Sequence, residues 1–313
     1  MAIDKKFIDQ FIYVTAKAAL ASSYLVGKKD KIAADKAAVD SMRDELNKIN
    51  INGEIVIGEG ELDDAPMLYI GERLGTKNGP EFDIAVDPLE GTNFAANNLP
   101  GALSVIAVAE KNNLFKAPET YMEKISSKVN EKNVIDLDFT VKKNISNLSD
   151  YLNKNPENLT VCILDRPRHK QIIEELNRLK VNLKLITDGD VSGALLVTEE
   201  KYNVDIFLGI GGGPEGVLAA AALDAYNCNF QGRFLFKTEE DKVRANKMGI
   251  NDLTKKYELN EIVTGDTIFC ATGITSGDLV AGIKIQDNDF VSETLVTHKS
   301  SGLKKVLKLK QIL

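Results

Sequence analysis

Two carboxylates and a hydroxyl lie close together in the segment DPLEGT, residues 87–92. The apolar run at residues 84–86 predicts a buried strand that ends at Asp87, at the carboxyl edge of a sheet. Open α/β folds bind their ligands at such edges. Pro88 is expected to end the strand because it cannot donate a ladder hydrogen bond. Glu90 then comes round to the side of Asp87, and the two carboxylates repel each other unless a cation neutralises them.

The end of the same segment has the features of a phosphate site. Gly91 and Thr92 can begin a helix, whose free N–H groups and positive dipole end favour a phosphate group. A phosphate beside two carboxylates again requires cations, so the segment indicates a metal–phosphate site in which Thr92 orients a water molecule. The alternative is structural, with an Asp and a Thr that cap a turn.

A second acidic segment, IVIGEGELDDAP at residues 55–66, repeats this design. Glu59, Glu61 and Asp63 lie two residues apart, which puts them on one side of an extended chain. Three like charges on one side cost free energy unless a cation or a partner neutralises them. Asp64 is more simply explained as a helix N-cap, and a solvated acidic loop is the alternative for the other three.

Two further predicted strand ends carry polar clusters. The segment DGD, residues 188–190, could accept hydrogen bonds from sugar hydroxyls, although by itself it is more simply explained as a turn with an N-cap. The segment DRPRHK, residues 165–170, holds Arg166 and Arg168, whose guanidinium groups suit phosphate oxygens. A solvated helix start is the alternative there.

A glycine-rich segment, GIGGGPEGV at residues 209–217, matches the pattern GxGxxG of dinucleotide-binding turns. It belongs to the last of several βα units, however, and it contains Pro214. No acidic residue ends a following strand at the usual distance. We therefore interpret it as a tight turn, near a sugar phosphate or purely structural.

Composition narrows the kind of metal and the kind of partner. The 313-residue chain has a formal net charge of -7, which argues against binding nucleic acid. It has only two histidines, and its three cysteines form no CxxC pair, so carboxylates would have to bind any metal, as in Mg²⁺ or Mn²⁺ sites. The chain shows no signal peptide and no membrane-spanning run, and we expect a soluble, cytoplasmic protein.

Hydrophobic periodicity predicts an α/β protein with strand–helix alternation after residue 160 and a parallel sheet. Helices are expected at residues 4–27, 32–49, 66–74, 168–180, 190–199 and 214–227. Strands are expected at residues 54–57, 82–86, 102–109, 160–164, 183–187, 204–208, 267–270, 280–285 and 290–296. The length suits two packed α/β regions, with an expected division into residues 1–150, a metal-binding phosphatase domain, and residues 151–313, a sugar-phosphate-binding domain.

These segments together resemble a known enzyme family. DPLEGT is similar to the D-P-[IL]-[DE]-G-[ST] signature of the metal-dependent, lithium-sensitive phosphatases, which include inositol monophosphatases and fructose bisphosphatases. The chain carries, in this order, IGEGELDDAPMLYIGERLG, DPLEGT, DRPRH, TDGDVSGA and GIGGGPEGV. That order resembles the class II fructose-1,6-bisphosphatases of bacteria over nearly the whole chain. Five ordered motifs are far more specific than DPLEGT alone.

The resemblance implies a layered αβαβα sandwich of the fructose-bisphosphatase and inositol-monophosphatase type. It implies hydrolysis of the 1-phosphate of fructose 1,6-bisphosphate in gluconeogenesis, with Mn²⁺ or Mg²⁺ as cofactor. Thr92 would help to activate the attacking water, with support from Asp63. The implied metal ligands are Asp35, Glu59, Asp87, Glu90 and the carbonyl of Leu89. The implied substrate-binding residues are Glu90, Gly91, Thr92, Tyr121, Arg166, Pro167, Arg168, Asp188, Gly189, Asp190 and Gly212.

The sequence leaves three other functions open. Another phosphatase of the superfamily could act on sedoheptulose 1,7-bisphosphate or an inositol phosphate. A nucleotide-dependent oxidoreductase could use the glycine-rich segment, and a sugar-phosphate sensor could bind ligand without hydrolysis. For the phosphatase, we expect a small sugar bisphosphate as partner, no nucleic acid, no membrane and a homo-oligomer.

Overall fold

The computed structural model describes residues 2–60 and 67–313, which fall into two compact units. Unit 1 comprises Met1–Ala117 and Val263–Leu313, and unit 2 comprises Pro118–Ile262. This division differs from the expected boundary near residue 150. The last strands of the chain return to the sheet that the first strands begin, and a linear pattern of elements carries no signal for such a return.

Unit 1 is built around an eight-stranded sheet covered by two long helices. Its helices are α1 (Lys6–Ser23), α2 (Lys31–Leu46) and the short α3 (Thr92–Ala96). Its strands are β1 (Asn52–Ile57), β2 (Arg73–Leu74), β3 (Glu81–Glu90), β4 (Leu103–Glu110), β11 (Thr267–Gly273), β12 (Lys284–Gln286), β13 (Asp289–His298) and β14 (Leu303–Ile312). Among the described residues the order is β12-β13-β11-β4-β3-β1-β2, with β14 on the other side of β13.

The helix α1 forms because its apolar residues recur at helical spacing and meet the sheet. Phe7 and Phe11 are both buried and belong to the same core cluster as Ile84 and Ile106 of β3 and β4. The helix α2 adds Met42, which is fully buried. Burial of such side chains is worth about 1.5–3 kcal/mol each, so the sheet and the two helices stabilise one another.

Unit 2 is built around a six-stranded sheet. Its strands are β5 (Tyr121–Ser127), β6 (Thr160–Leu164), β7 (Asn182–Ile186), β8 (Ile206–Gly212), β9 (Asn229–Leu235) and β10 (Lys256–Glu258). Its helices are α4 (Val141–Leu152), α5 (Lys170–Arg178), α6 (Asp190–Leu195), α7 (Gly213–Ala225), α8 (Glu239–Lys247) and α9 (Leu259–Ile262). The parallel sheet predicted from the alternation is found in β7, β6 and β8, whereas β5, β9 and β10 pair antiparallel, so the sheet as a whole is mixed.

The helix expected at residues 66–74 is wrong for residues 67–74, which are described. Leu68 has φ 54° and Gly71 has φ 92°, and left-handed backbone at two of these positions cannot continue a helix. The carboxylate of Glu72 accepts a hydrogen bond from the backbone N–H of Leu68 and one from Arg43 Nε at 2.6 Å. A loop closed by these bonds leads instead into β2.

The predicted mixed α/β class is confirmed by the two sheets and their helices. The strand β14 was not predicted, since its residues KKVLKLK mix lysines with apolar residues at the edge of the sheet. Within the described residues, no helix has the length and apolar character needed to span a bilayer.

Candidate active site

Two acidic residues of unit 1 lie at corresponding positions of neighbouring parallel strands, Glu59 just after β1 and Asp87 within β3. The strands β1 and β3 run parallel, and their register pairs Ile57 with Ala85. Glu59 and Asp87 each lie two residues beyond that pair, so both come to the same edge of the sheet. Both residues are half-buried. Like-charged carboxylates at one partly desolvated edge favour a cation there.

The strand β3 continues beyond Asp87, contrary to the expectation that Pro88 ends it. Its pairing with β4 becomes irregular between Asp87 and Glu90 and resumes where Glu90 pairs with Leu103. A strand irregularity accommodates a proline because no ladder hydrogen bond is needed there. Glu90 is only 3% exposed, and Leu89 is buried beside it.

A glycine turn then connects β3 to α3 and positions Thr92. Gly91 has φ 79°, in the left-handed region that favours glycine, and an added Cβ would come 2.8 Å from the ring of Phe94. The Gly91 carbonyl accepts hydrogen bonds from the backbone N–H groups of Phe94, at 2.8 Å, and Ala95, at 3.2 Å. Thr92 is therefore the first residue of a helix that begins directly after the acidic strand end, as the sequence predicts.

Asp35 lies on α2, which packs against β3 and α3. The residue is half-buried, and no described residue forms a hydrogen bond or ion pair with its carboxylate. Burial raises the pKa of Asp35 to about 6. A desolvated carboxylate of this kind gains stability from a bound cation. Only the family resemblance pointed to Asp35, because by its pattern alone it resembles a solvated helix residue.

The donor set of this edge suits Mg²⁺ or Mn²⁺, which prefer carboxylate and carbonyl oxygens. As placed, no three His, Cys, Asp or Glu side chains within residues 2–60 and 67–313 come close enough together to hold a metal ion. Glu61, Asp63 and Asp64 lie outside the described residues. The proposed ligands Glu59 and Asp87 nevertheless lie at one edge of the sheet. The carboxylate of Asp35 is partly desolvated, and its helix α2 packs against β3.

In unit 2, the predicted site residues collect at one edge of the second sheet. Because β6, β7 and β8 are parallel, the loops that follow them begin at the same edge. The strand β5 runs antiparallel to β8, and its first residue, Tyr121, pairs with Gly212 at the end of β8. The residues brought to this edge are Tyr121, Arg166, Pro167, Arg168, Asp188, Gly189, Asp190 and Gly212.

The arginine loop after β6 is anchored to β8 by a buried histidine. His169 Nδ1 donates to the Leu164 carbonyl at 2.7 Å, and its Nε2 accepts from the Ile210 N–H at 2.7 Å. These partners require the neutral ring, and burial lowers the pKa of His169. Arg168 Nε donates to the Ile210 carbonyl at 2.7 Å, so two consecutive residues of the loop, Arg168 and His169, bind the backbone of Ile210. Pro167 begins the short 3-10 helix of this loop.

The loop after β7 carries Asp188, Gly189 and Asp190. Asp188 is half-buried and forms an ion pair with Arg166 at 3.5 Å, which joins the two loops. Gly189 has φ 84° and precedes α6, whose first residue is Asp190. Glycine is required there by the left-handed backbone.

Lys124, a buried residue that the sequence did not suggest, contacts two groups at this edge. Lys124 of β5 is 1% exposed, forms an ion pair with Asp190, and donates to the Gly212 carbonyl at 2.6 Å. Asp190 Oδ1 is also buried and has no hydrogen-bond partner within the described part of the chain. The available signal was a lysine on the buried side of the alternating strand MEKISS.

Glu215 is the second residue of unit 2 that sequence reasoning missed. Burial raises the pKa of Glu215, an effect that the positive charge of Lys124 opposes. A Cβ added to Gly212 would overlap the Glu215 carboxylate, and one added to Gly211 would overlap the carboxylate of Asp190. Gly211 and Gly212 therefore lack a Cβ where two carboxylates lie. A dinucleotide-binding turn would not require glycine for that reason.

Comparison with known proteins gives a consistent family match. Residues 5–311 match the family described as bacterial fructose-1,6-bisphosphatase, glpX-encoded. A relative from Trichodesmium erythraeum is 39% identical over 317 residues, covering 93% of this chain and 92% of its own. A relative from Prochlorococcus marinus (strain MIT 9301) is 40% identical over 308 residues, covering 94% of this chain and 92% of its own. Both are named D-fructose 1,6-bisphosphatase class 2/sedoheptulose 1,7-bisphosphatase.

Similar solved structures are more distant. The IMPase of Thermotoga maritima aligns with a TM-score of 0.35 at 13% identity, covering 64% of this chain and 79% of its own. The inositol monophosphatase of Anabaena (Nostoc) sp. PCC 7120 aligns with a TM-score of 0.32 at 14% identity, covering 62% of this chain and 71% of its own.

Proposed function

Because the chain belongs to the bacterial fructose-1,6-bisphosphatase family, we propose that it hydrolyses the 1-phosphate of D-fructose 1,6-bisphosphate to fructose 6-phosphate and phosphate. It is thus a phosphoric monoester hydrolase. The observation that carries the proposal is the shared edge of Glu59 and Asp87, followed directly by the Gly91–Thr92 turn. Sedoheptulose 1,7-bisphosphate is a second candidate substrate, since the relatives carry both activities in their names.

The proposed roles follow from the chemistry of each group. A bound Mg²⁺ or Mn²⁺ would neutralise phosphate charge and lower the pKa of a bound water. Its proposed ligands are Asp35, Glu59, Asp87, Glu90 and the Leu89 carbonyl. The Thr92 hydroxyl would orient the water for in-line attack, with support from Asp63.

In unit 2, Arg166 and Arg168 would bind the phosphate that is not cleaved, through charge-assisted hydrogen bonds. Asp188 and Asp190 would accept hydrogen bonds from sugar hydroxyls. Binding energy from the uncleaved phosphate would then help to position the cleaved one. Tyr121 and the backbone of Gly91, Pro167, Gly189 and Gly212 would complete the contacts.

The direct test is phosphate release from fructose 1,6-bisphosphate with Mn²⁺ or Mg²⁺, with EDTA as control. We expect metal-dependent release of one phosphate from the bisphosphate and little from fructose 6-phosphate or inositol phosphate. Absence of release with either metal would contradict the enzyme proposal and favour a sugar-phosphate sensor. Thermal stabilisation by NAD without metal would instead favour an oxidoreductase.

A variant pair tests the proposed role of Asp35 in metal binding. A metal that binds only the folded chain stabilises it, by about 2.7 kcal/mol at a hundredfold excess over its dissociation constant. Mn²⁺ should therefore raise the melting temperature of the unchanged chain and of Asp44→Asn, whose exposed residue lies on the same helix. The rise should be clearly smaller for Asp35→Asn. An equal rise in all three would remove Asp35 from the ligand set.

The proposal extends to location and assembly. We propose a cytoplasmic enzyme, which is supported by three buried cysteines that are not joined in disulfides, since thiols stay reduced in that compartment. We also propose a homo-oligomer, which light scattering after size-exclusion chromatography would test.

A further inference from the structure

Two cations of unit 2 share the ring of one tyrosine. The Arg168 guanidinium carbon lies 5.0 Å from the centre of the Tyr121 ring, and Lys237 Nζ lies 4.7 Å from the same centre. Tyr121 is 40% exposed, so the cluster is open to solvent. The motif DRPRHK pointed to Arg168 and the family resemblance to Tyr121, whereas neither pointed to Lys237.

The backbone of this cluster is held on both sides. Lys237 comes two residues after the end of β9, whose last residue, Leu235, pairs with Tyr121. Its N–H donates to Asp241 Oδ2 at 3.1 Å, which ties it to the capping box that begins α8. Arg168 is tied to the Ile210 carbonyl, as described above. The positive groups therefore project from fixed positions at one edge of the sheet.

Neither cation forms an ion pair with an acidic residue that the structure describes. Among the described residues, no Asp or Glu carboxylate lies within 4.0 Å of the charged nitrogens of Arg168 or Lys237. Arg166, in the same loop as Arg168, has Asp188 as its partner. The electron-rich ring face attracts both cations, but their mutual repulsion remains. A dianion that contacts both would remove that repulsion.

We infer that Lys237 binds the uncleaved phosphate of the substrate, together with Arg168, and so favours bisphosphates over monophosphates. This inference rests on the proposed function and adds a residue to it. A phosphate dianion fits because it offers several oxygens to two donors of different geometry, a planar guanidinium and a compact ammonium. Tyr121 acts here as the common support that keeps the two donors together.

The test compares substrates with and without that phosphate. Lys237→Ala should raise the KM for fructose 1,6-bisphosphate about tenfold, the value of one charge-assisted hydrogen bond, with kcat little changed. Its kcat/KM for fructose 1-phosphate should equal that of the unchanged chain. Lys237→Arg should recover most of the loss. The matched control is Lys247→Ala, which removes the same charge from an exposed position at the other end of α8.

A binding measurement separates this inference from the proposed function. Fructose 6-phosphate carries only the uncleaved phosphate, and its dissociation constant can be measured by calorimetry without turnover. We expect about tenfold weaker binding by Lys237→Ala than by the unchanged chain and Lys247→Ala. Equal binding by all three, no binding by the unchanged chain, or an equal loss with fructose 1-phosphate would overturn the role of Lys237. Failure of phosphate release alone would overturn the proposed function instead.

Discussion

Lys124 shows how a single residue can fix two parts of a site. Its ammonium is buried on β5, pairs with Asp190 and donates to the carbonyl of Gly212. A buried ion pair is costly to desolvate, and removing one partner leaves the other charge buried without compensation. Lys124 is therefore a positioning residue for two groups that the proposed function assigns to the substrate.

Replacing Lys124 by methionine should destabilise the protein by about 3–5 kcal/mol, because the Asp190 carboxylate loses its partner. The free energy of unfolding in urea, followed by circular dichroism, measures this change. The double variant Lys124→Met/Asp190→Asn should recover part of the loss, since the Asp190 charge is removed together with its partner. If the double variant loses as much as the sum of both single variants, the two residues are not coupled.

Thr92 has a proposed role that a pair of variants can separate from folding. Thr92→Ala should lower kcat about a hundredfold with little change in KM, because the hydroxyl acts on the attacking water. Thr92→Ser keeps the hydroxyl and should keep most of the activity. Both variants should melt near the temperature of the unchanged chain. An unchanged kcat for Thr92→Ala would remove the residue from the mechanism.

At the scale of elements, the functional positions are the places where strands end or become irregular. The irregularity of β3 around Pro88 lets the strand continue to Glu90, and the left-handed Gly91 then turns the chain into α3. In unit 2, His169 links the loop after β6 to the end of β8. A neutral imidazole is required for both of its hydrogen bonds.

The stability of the protein should therefore depend on pH through His169. Burial depresses its folded pKa below 6.5, so its contribution is complete above 6.5 and is lost as the pH falls through the folded pKa. Each pKa unit of depression corresponds to about 1.4 kcal/mol. Asp35 changes the stability in the opposite direction. Because its pKa is raised in the folded state, it favours folding as the pH falls.

A comparison of variants isolates this contribution. The melting temperature of the unchanged chain, measured from pH 8 to pH 5, should fall more steeply than that of His169→Gln. Parallel profiles for the unchanged chain and His169→Gln would show that His169 titrates alike in both states.

At the scale of the whole molecule, one unit is a single segment of the sequence and the other is formed by two segments. Unit 2 is one uninterrupted stretch, whereas unit 1 is completed by the strands of residues 263–313. The central strand β4 pairs with β3 on one side and with β11 on the other. A fragment that ends near residue 150 would leave that second side of β4 unpaired and its core exposed.

Fragments test this division. A fragment of residues 118–262 should fold and unfold cooperatively, because it contains all of the second sheet and its own core. A fragment of residues 1–150 should remain unfolded or aggregate. Thermal unfolding followed by circular dichroism distinguishes the two results. Cooperative unfolding of the fragment 1–150 would contradict the division.

The sequence by itself determined the class of fold and the chemistry of the strand ends. Acids, arginines and glycines stand directly after apolar runs, and such patterns are local, so Asp87, Glu90, Thr92 and Arg168 could be recognised without coordinates. The family resemblance came from the order of these segments along the chain. Asp35 needed that resemblance, because its helix alone looks solvated.

Only the tertiary structure decided which distant segments meet. The register that brings Glu59 and Asp87 to the same edge, the ion pair of Lys124 with Asp190 and the contact of Lys237 with the Tyr121 ring join residues far apart in sequence. The return of the last strands to the first sheet is of the same kind. These pairings depend on strand order and on burial on both faces, and neither leaves a periodic signal in the chain.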